Sequence, residues 1–259
     1  KKKSDKYSNK KKYLVKIIDW GNKNKKPEAS VIKCLGNIGE NETEINSIIY
    51  DFNLPNKFPS EIINEAESLN DKISSKEIEK RRDLRNIDTF TIDPDDAKDF
   101  DDALSVEVKR NYYIIGIHIA DVSHFFNVRT KINEEAEKRA TSIYLVDRTI
   151  PMLPEKLSNN LCSLRPDVDR LTYSVIIKFD KEFSIIDSWI GKTVIHSNKR
   201  FTYEEAQNSI DNNDSIFHNE LTILNSIAKK IRGNRFISGS FNFGSDEIKF
   251  KLNEKKEPI

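Results

Sequence analysis

Six aspartates fall within ten positions of this chain, between two runs of β-type residues, and this cluster constrains the fold more than any other feature. They are Asp93, Asp95, Asp96, Asp99, Asp101 and Asp102, with only Lys98 as a charge of the other sign among them. A β-type run at 89–92 precedes the cluster and another at 103–108 follows it, so the sequence predicts a folded loop between strands. Carboxylates this close repel one another, so a buried cluster must be partly protonated or must hold a cation.

The residue types around the cluster indicate which cation would suit it. Oxygen ligands with no nearby His or Cys favour Mg²⁺, or alternatively Mn²⁺, over zinc or copper. A calcium loop of the EF-hand type that starts at Asp93 is excluded, because Ala97, Lys98 and Leu104 occupy its ligand, Gly and Glu positions. Carboxylate-held metals serve phosphodiester hydrolysis. From composition and spacing alone, metal-assisted phosphoryl chemistry, a structural cation site and a solvated acidic loop all stay open.

The overall charge excludes a general polycation. The chain has 43 Lys and Arg against 42 Asp and Glu, a net charge of +1. Any nucleic-acid-binding charge must therefore be local. Residues 1–12 contain seven Lys and one Asp, and Lys23, Lys25 and Lys26 form a second basic group; the ordinary interpretation of such runs is a solvated tail or loop. The 8 glycines form no phosphate-binding glycine loop.

Other classes are disfavoured by what the chain lacks. Cys34 and Cys162 form no CxxC pair, which argues against a disulfide framework or a thiolate zinc site and favours a reducing cytoplasm. The longest apolar stretch, Tyr112–Ala120, is too short to span a bilayer, and we expect no secretory signal. Because the chain begins at Lys1 and its only Met is Met152, we expect an excerpt of a longer protein.

The pattern along the chain predicts an α+β protein with two domains. In residues 1–75, short strand-like runs separated by turns predict a small antiparallel barrel of the OB type: Tyr13–Ile18, Ala29–Leu35 and Ile45–Tyr50. A helix follows with Ser60 as its N-cap. The charged segment Lys76–Arg85 indicates a connector, and hence a domain boundary near residues 75–85.

Residues 76–259 are predicted as a larger α+β domain with no internal repeat. Its predicted strands are Thr89–Ile92, Ala103–Val108, Tyr112–Ala120, Leu171–Phe179, Phe183–Ile195 and Glu247–Leu252, and its predicted helices are Ile132–Ala140, Glu155–Leu164, Tyr203–Ile210 and Asn219–Ile231.

Four ordered blocks of sequence resemble the ribonuclease II/ribonuclease R family, defined by the RNB domain. The run Thr91–Ala103 resembles the family's aspartate signature, and the other three blocks follow in the family's order: His118–His124, Ile150–Pro154 and Leu157–Leu164. The variants here, including Pro-Asp-Val-Asp-Arg at 166–170, look closer to ribonuclease R. The resemblance is strong over residues 80–259 and weaker over 13–75, which are similar to the cold-shock (OB) domain that precedes the catalytic domain.

The resemblance also implies roles for individual residues. The catalytic and metal-binding aspartates would be Asp93, Asp99, Asp101 and Asp102, whereas Asp95 and Asp96 occupy variable positions and would be peripheral. Tyr144 and Phe243 match positions that stack on the bases of RNA, and Tyr203 matches a position near the terminal nucleotide. Every base offers an aromatic face, so stacking suits binding without sequence preference.

The function implied is Mg²⁺-dependent, hydrolytic 3′-to-5′ degradation of single-stranded RNA to nucleoside 5′-monophosphates, processive and serving RNA turnover. The family's catalytic Arg and Glu, the rest of its RNB domain and a further RNA-binding domain would lie beyond Ile259, so we expect a truncated catalytic domain. The alternative is a non-catalytic RNA-binding module with a structural cation in the acidic loop. Such a module would be free to lose the four motif aspartates, and all four are present.

Three further residues have ordinary structural interpretations. His118 follows an apolar run and is predicted to be a hydrogen-bonded strand residue. Cys162 is predicted to be a small buried side chain with no role as a nucleophile. Asp121 either contributes to the acidic pocket or simply ends a strand, and the second interpretation is favoured.

Overall fold

The structure, a computed structural model, describes residues 7–23, 25–213, 215–242, 244, 250–254 and 258. The chain divides into two units. Unit 1 comprises Lys1–Pro59, Arg139–Met152 and Asp246–Ile259, and unit 2 comprises Ser60–Lys138 and Leu153–Ser245. Both contain helices and strands, so the predicted α+β class is confirmed. In the part of the chain that is described, no helix is long and apolar enough to cross a membrane.

Unit 1 is built on an antiparallel ribbon of β1 (Lys11–Asp19) and β2 (Glu28–Asn37). A helix, α1 (Asn41–Asp51), follows the ribbon, and a short hairpin joins β7 (Ile143–Tyr144) to β8 (Thr149–Ile150). The hairpin and the helix share a small apolar core, in which Ile150 lies with Ile45 and Ile49. This core fixes the hairpin that carries Tyr144.

The predicted strand Ile45–Tyr50 is wrong, because these residues lie within α1. Three β-branched isoleucines suggested a strand, yet Ile45 and Ile49 are four residues apart, and this spacing places both on one face of a helix. Burying that face against Ile150 outweighs the modest preference of isoleucine for strands.

Unit 2 is organised by a seven-stranded sheet in the order β11-β4-β5-β6-β9-β10-β3. The β11–β4 and β10–β3 pairs are parallel and the others antiparallel. Its strands are β3 (Arg82–Asp83), β4 (Thr89–Asp93), β5 (Asp102–Val108), β6 (Tyr112–Ala120), β9 (Asp169–Asp180), β10 (Ile185–His196) and β11 (Lys199–Thr202). Its helices are α2 (Ser60–Glu67), α3 (Ser75–Ile78), α4 (Lys131–Arg139, whose last residue falls in unit 1), α5 (Tyr203–Asp211) and α6 (His218–Ile237), with a 3₁₀ turn at Val122–His124 and a π-helical turn at Lys156–Leu161.

Most of the elements predicted after residue 86 are confirmed, with ends that shift by a few residues. Ser60 is the first residue of α2 and not the residue before it. The interpretation of Lys76–Arg85 as a connector is wrong, because it contains the end of α3 and the strand β3, which joins the sheet. The domain boundary near 75–85 stays a prediction. Residues 247–249 of the predicted last strand lie outside the described residues, and residues 250–252 form no strand, with only an isolated bridge between Leu252 and Pro258.

One face of the sheet is apolar and is covered by α5 and α6. Ile223 and Ile227 of α6 pack on Val106, Ile115 and Phe179. A second cluster lies nearer β4 and β11 and joins Phe90, Phe201, Ala206 and Leu221. This core holds β4 and β5, the two strands that flank the acidic loop.

The opposite face carries a buried polar cluster around His118. The His118 ring lies between Ser105 Oγ, 2.9 Å from Nε2, and Ser174 Oγ, 2.7 Å from Nδ1. Ser174 is in turn hydrogen-bonded to Thr193. His118 is fully buried, and burial lowers its pKa to about 4, so the ring is neutral at pH 7. The prediction of a hydrogen-bonded strand residue is confirmed.

Candidate active site

The acidic loop occupies the end of the sheet where β4 and β5 separate. The two strands pair only at Thr89 with Ser105 and at Phe90 with Leu104. Beyond these pairs they diverge, so Asp93 at the end of β4 and Asp102 at the start of β5 flank an open segment, residues 94–101. The position predicted from sequence, a folded loop between strands, is confirmed.

Backbone hydrogen bonds attach the loop to two other parts of unit 2. The Ser163 hydroxyl accepts from the Phe100 N–H (3.1 Å) and donates to the Lys98 carbonyl (3.0 Å), and the Leu164 N–H donates to the Phe100 carbonyl (2.8 Å). On the other side, the Ala120 N–H donates to the Asp101 carbonyl (3.0 Å). The sequence blocks around 118–124 and 157–164 therefore hold the acidic block in place, which gives a physical reason for their occurring together.

Ser163 is fully buried and is a residue that sequence reasoning missed. Its carbonyl accepts a hydrogen bond from Nε of Arg170 (2.8 Å), itself a buried side chain. The signal was present, because Ser163 lies within the Leu157–Leu164 block, but a single serine does not show which backbone atoms it will contact. Cys162 beside it is also buried, and burial raises the pKa of its thiol to about 12, as expected for a packing residue.

The four motif aspartates act on one another electrostatically. Desolvation raises the pKa of Asp101 although the residue keeps contact with solvent, and the charges of Asp99, Asp102 and Asp93 add to the rise. Desolvation also raises the pKa of the half-buried Asp93, with further contributions from Asp102 and Asp99. The structure therefore brings the four carboxylates into one electrostatic group. Asp95 and Asp96 are exposed on the outer part of the loop.

The residues present fit a hard divalent cation. Asp93 Oδ2 is buried and makes no hydrogen bond of normal geometry among the described residues, although the nearby Thr91 hydroxyl acts to lower the pKa of this carboxyl, which desolvation raises. A buried carboxylate oxygen this weakly satisfied favours a cation. All four charged groups are oxygen donors, the set that Mg²⁺ prefers. Among the described residues, no three His, Cys, Asp or Glu side chains converge on one point as ligands of an ion.

The three aromatic residues predicted to bind RNA have different positions. Tyr203 is the first residue of α5 and is 52% exposed; it directly follows Thr202, which pairs with Asp93 across β11 and β4. Tyr144 lies in β7 of unit 1 and is 69% exposed. Phe243 lies outside the described residues. The RNA-binding roles of all three stay predictions.

Asp121 forms an ion pair that sequence reasoning did not predict. It follows the last residue of β6, and its Oδ2 lies 2.7 Å from Nη2 of Arg81, with both side chains almost fully buried. Burial alone would raise the pKa of Asp121, but Arg81 and the Ser123 hydroxyl together lower it below the usual value. Arg81 also contacts Glu77 (2.8 Å). Asp121 thus ends the strand, as predicted, and serves as the partner of a buried arginine.

A separate cavity of about 310 Å³ in unit 2 is lined by none of the four motif aspartates. Its wall includes Leu69, Glu77, His124, Arg170 and Leu171. Several of these polar groups already have partners inside the protein, such as Arg170 with the Ser163 carbonyl.

Fold and site together define a class: an α+β protein with a carboxylate-rich, cation-compatible loop at one end of a mixed sheet. Within that class, the chain belongs to the RNB-domain family, whose model matches residues 81–259. A cold shock domain model matches residues 1–59. The family expected from the four sequence blocks, and the OB-type domain expected before it, are thereby confirmed.

Curated relatives match nearly the whole chain. Ribonuclease R of Thermotoga maritima is 38% identical over 257 residues, which cover 96% of this chain and 36% of the relative. DIS3-like exonuclease 2 of Schizosaccharomyces pombe is 37% identical over 264 residues, covering 95% and 28%. The chain spans about a third of the length of these relatives.

Solved structures show the same fold. Mycoplasma genitalium RNase R in complex with double-stranded RNA has a TM-score of 0.87 and 28% identity over 99% of this chain and 47% of that one. Yeast Ssd1, described as a pseudonuclease, has a TM-score of 0.70 and 23% identity over 91% of this chain and 30% of that one. The likeness to Ssd1 concerns the fold alone.

Proposed function

We propose that the protein is a hydrolytic 3′-to-5′ exoribonuclease that degrades single-stranded RNA processively to nucleoside 5′-monophosphates. The observation that carries this proposal is the electrostatic coupling of Asp93, Asp99, Asp101 and Asp102 in one loop of an RNB-domain fold. The similar solved structures, which include Mycoplasma genitalium RNase R in complex with RNA, support RNA as the substrate.

In this proposal the four aspartates hold Mg²⁺ or Mn²⁺, which when bound activates water and neutralises the leaving oxygen. Asp101 is oriented by the Ala120 N–H, which holds its carbonyl, and completes the site whether or not its carboxylate touches the ion. Tyr203, next to the metal site, would contact the terminal nucleotide, and Tyr144 and Phe243 would stack on preceding bases. The Lys residues near the N-terminus would attract the RNA backbone.

The partner in this proposal is the 3′ end of single-stranded RNA in RNA turnover and quality control. We propose no membrane partner, and we propose that the protein acts in the cytoplasm. Neither the aspartate loop nor the exposed aromatic side chains read base identity, so we expect degradation with little sequence preference.

The test is Asp101→Asn in the full-length protein. We expect loss of hydrolysis by a factor of at least about 100, because an amide does not supply the charge that a metal site needs, with RNA affinity unchanged. The matched control is Asp96→Asn, which removes an exposed carboxylate from the same loop. Shortening of an oligonucleotide labelled with a fluorophore at its 5′ end measures hydrolysis, and fluorescence anisotropy measures binding.

Addition of EDTA to the same assay separates the enzyme from the RNA-binding module that is the alternative. An enzyme shortens the oligonucleotide only when the divalent ion is present. A binding module leaves the oligonucleotide intact under both conditions, and Asp101→Asn degrading RNA at the wild-type rate would exclude the assignment of this site.

A further inference from the structure

Arg200 is a cation that lies against the outer part of the acidic loop. It belongs to β11, where it pairs with Thr91 of β4 in the parallel ladder. Its Nη2 donates to the carbonyl of Pro94 (2.5 Å) and to the carbonyl of Asp95 (2.9 Å). These two carbonyls form the turn that directly follows Asp93. One guanidinium therefore ties the loop to a strand on the far side of β4.

Two further features of Arg200 contribute little or nothing to stability. Nη1 is 3.9 Å from Asp95 Oδ1, but the Asp95 side chain is 90% exposed, so this ion pair is weak. Nε is buried and has no acceptor among the described residues, which costs free energy relative to a satisfied donor. A residue that leaves a buried donor unsatisfied is poorly explained by stability alone, and its place beside an acidic site suggests a role there.

The position of Arg200 links it to both ends of the aspartate group. Its charge acts on Asp93, and the guanidinium carbon lies 5.7 Å from the ring of Phe100, the buried residue between Asp99 and Asp101. Phe100 is itself held by Ser163 and Leu164. The loop is thus fixed at its Phe100 end by the 157–164 block and at its Pro94 end by Arg200.

We propose that Arg200 is a positioning residue that holds the acidic loop in the shape that binds the divalent ion. This inference rests on the proposed function, since it assigns to Arg200 the preorganisation of that site. Arg200 contacts neither RNA nor the reacting atoms in this role. It acts through the backbone of residues 94 and 95, and so on the placement of Asp93 and Asp99.

Two effects of removing Arg200 on metal affinity have opposite signs. Loss of a positive charge near Asp93 would strengthen cation binding, because a repulsive interaction disappears. Loss of the two carbonyl contacts would weaken cation binding, because the ion would have to order the loop. Loss of groups that orient metal ligands typically weakens metal affinity 10- to 100-fold. The sign of the change therefore separates positioning from plain electrostatics.

The experiment measures Mn²⁺ binding to the full-length protein without RNA, from the electron paramagnetic resonance signal of free Mn²⁺. The variants are Arg200→Ala, Arg200→Lys and Arg200→Gln, with Arg110→Ala as the control for loss of an exposed arginine. We expect about 10- to 100-fold weaker binding for Arg200→Ala. Arg200→Lys keeps the charge and one donor group, so we expect an intermediate loss.

A second readout is the Mg²⁺ dependence of RNA degradation. We expect Arg200→Ala to require about 10- to 100-fold more Mg²⁺ for its half-maximal rate and to recover most of the wild-type rate at saturation. Unchanged or tighter Mn²⁺ binding would overturn the inference, as would a low rate at saturating Mg²⁺ with normal metal affinity. If Arg200→Ala does not fold, Arg200→Lys and Arg200→Gln carry the same test.

Failure of the inference is distinguishable from failure of the proposed function. If the wild-type protein does not bind Mn²⁺, or if Asp93→Asn does not abolish the binding, the assignment of the metal site is wrong. The proposed function and the role of Arg200 are then both wrong. If wild-type binding depends on Asp93 but is the same in all Arg200 variants, only the role of Arg200 is wrong.

Discussion

At the scale of single residues, Gly116 in the middle of β6 shows how tightly the polar face of the sheet is built. A Cβ atom at this position would lie 2.3 Å from Ser105 Oγ and 2.5 Å from His118 Nε2. Both distances are below van der Waals contact, so any side chain here would separate the two groups that hydrogen-bond to each other. The absence of a Cβ at position 116 is what allows His118 to be buried with a partner.

We therefore expect Gly116→Ala to lower the free energy of unfolding by about 1–3 kcal/mol, the usual cost of overpacking. Gly233→Ala is the matched control: it lies in α6 with open space around the added methyl group, so we expect a gain of up to about 1 kcal/mol from helix propensity. Urea unfolding measures both. Equal effects of the two substitutions would contradict this account of Gly116.

His118 makes stability depend on pH. Burial lowers its folded-state pKa from 6.5 to about 4, so the unfolded chain binds more protons between these values. The stability that His118 contributes is thus complete above pH 6.5 and is lost as the pH falls toward 4. Each unit of difference between the two pKa values corresponds to about 1.4 kcal/mol, so the free energy of unfolding falls by about 3 kcal/mol near pH 4. We expect His118→Gln to have a lower free energy of unfolding than the wild type at pH 7. Its free energy of unfolding should also fall less steeply between pH 6.5 and 4, as measured by urea unfolding. Parallel pH dependences of the two proteins would refute this.

At the scale of secondary-structure elements, the segment from α3 to β3 is held to the sheet by a buried charge. The guanidinium of Arg81 has no solvent exposure, and it donates to the Thr172 carbonyl (3.3 Å) while pairing with Asp121. Its neighbour Arg82 lies over the ring of Trp189 at 5.1 Å. A segment that looks like a solvated connector from its charges is therefore a structural part of unit 2.

We expect Arg81→Met to lower the free energy of unfolding by about 3–5 kcal/mol, because it leaves Asp121 buried without its main partner. Arg82→Met, the adjacent control, removes a cation–π contact and should cost about 1 kcal/mol or less. Combining Arg81→Met with Asp121→Leu should recover much of the loss, since the almost fully buried carboxylate is then absent and Glu77, the other partner of Arg81, keeps its contact with Lys80. Thermal unfolding measures all three, and a double variant as unstable as Arg81→Met would contradict the ion-pair explanation.

At the scale of the whole molecule, a net charge of +1 conceals a local excess of negative charge at the end of the unit 2 sheet. Desolvation and mutual repulsion raise the pKa values of Asp93 and Asp101. A carboxyl whose folded-state pKa is raised destabilises the folded protein increasingly as the pH rises above its unfolded-state pKa, and in full above its folded-state pKa. Without a cation, the acidic loop therefore lowers the free energy of unfolding at neutral pH. A bound cation would offset this loss.

We expect Mg²⁺ to raise the melting temperature of the full-length protein at pH 7. A ligand at a hundredfold excess over its Kd stabilises the folded state by about 2.7 kcal/mol. Differential scanning calorimetry with Mg²⁺ and with EDTA measures the increment. It should shrink or vanish in Asp93→Asn and persist in Asp96→Asn, which lies on the exposed part of the loop; the same increment in both variants would place the ion elsewhere.

The sequence by itself determined the α+β class, the strands β4, β5, β6, β9 and β10, the family and the location of the acidic loop. These depend on local patterns: alternating apolar residues in strands, turn residues between them, and an ordered set of short motifs. Only the tertiary structure decided that Ile45–Tyr50 is helical, that Arg81 is buried, and that Ser163 and Arg200 hold the acidic loop. Each of these depends on a partner distant in the chain, such as Ile150 for α1 or Pro94 for Arg200, and local patterns carry no information about which distant groups will meet.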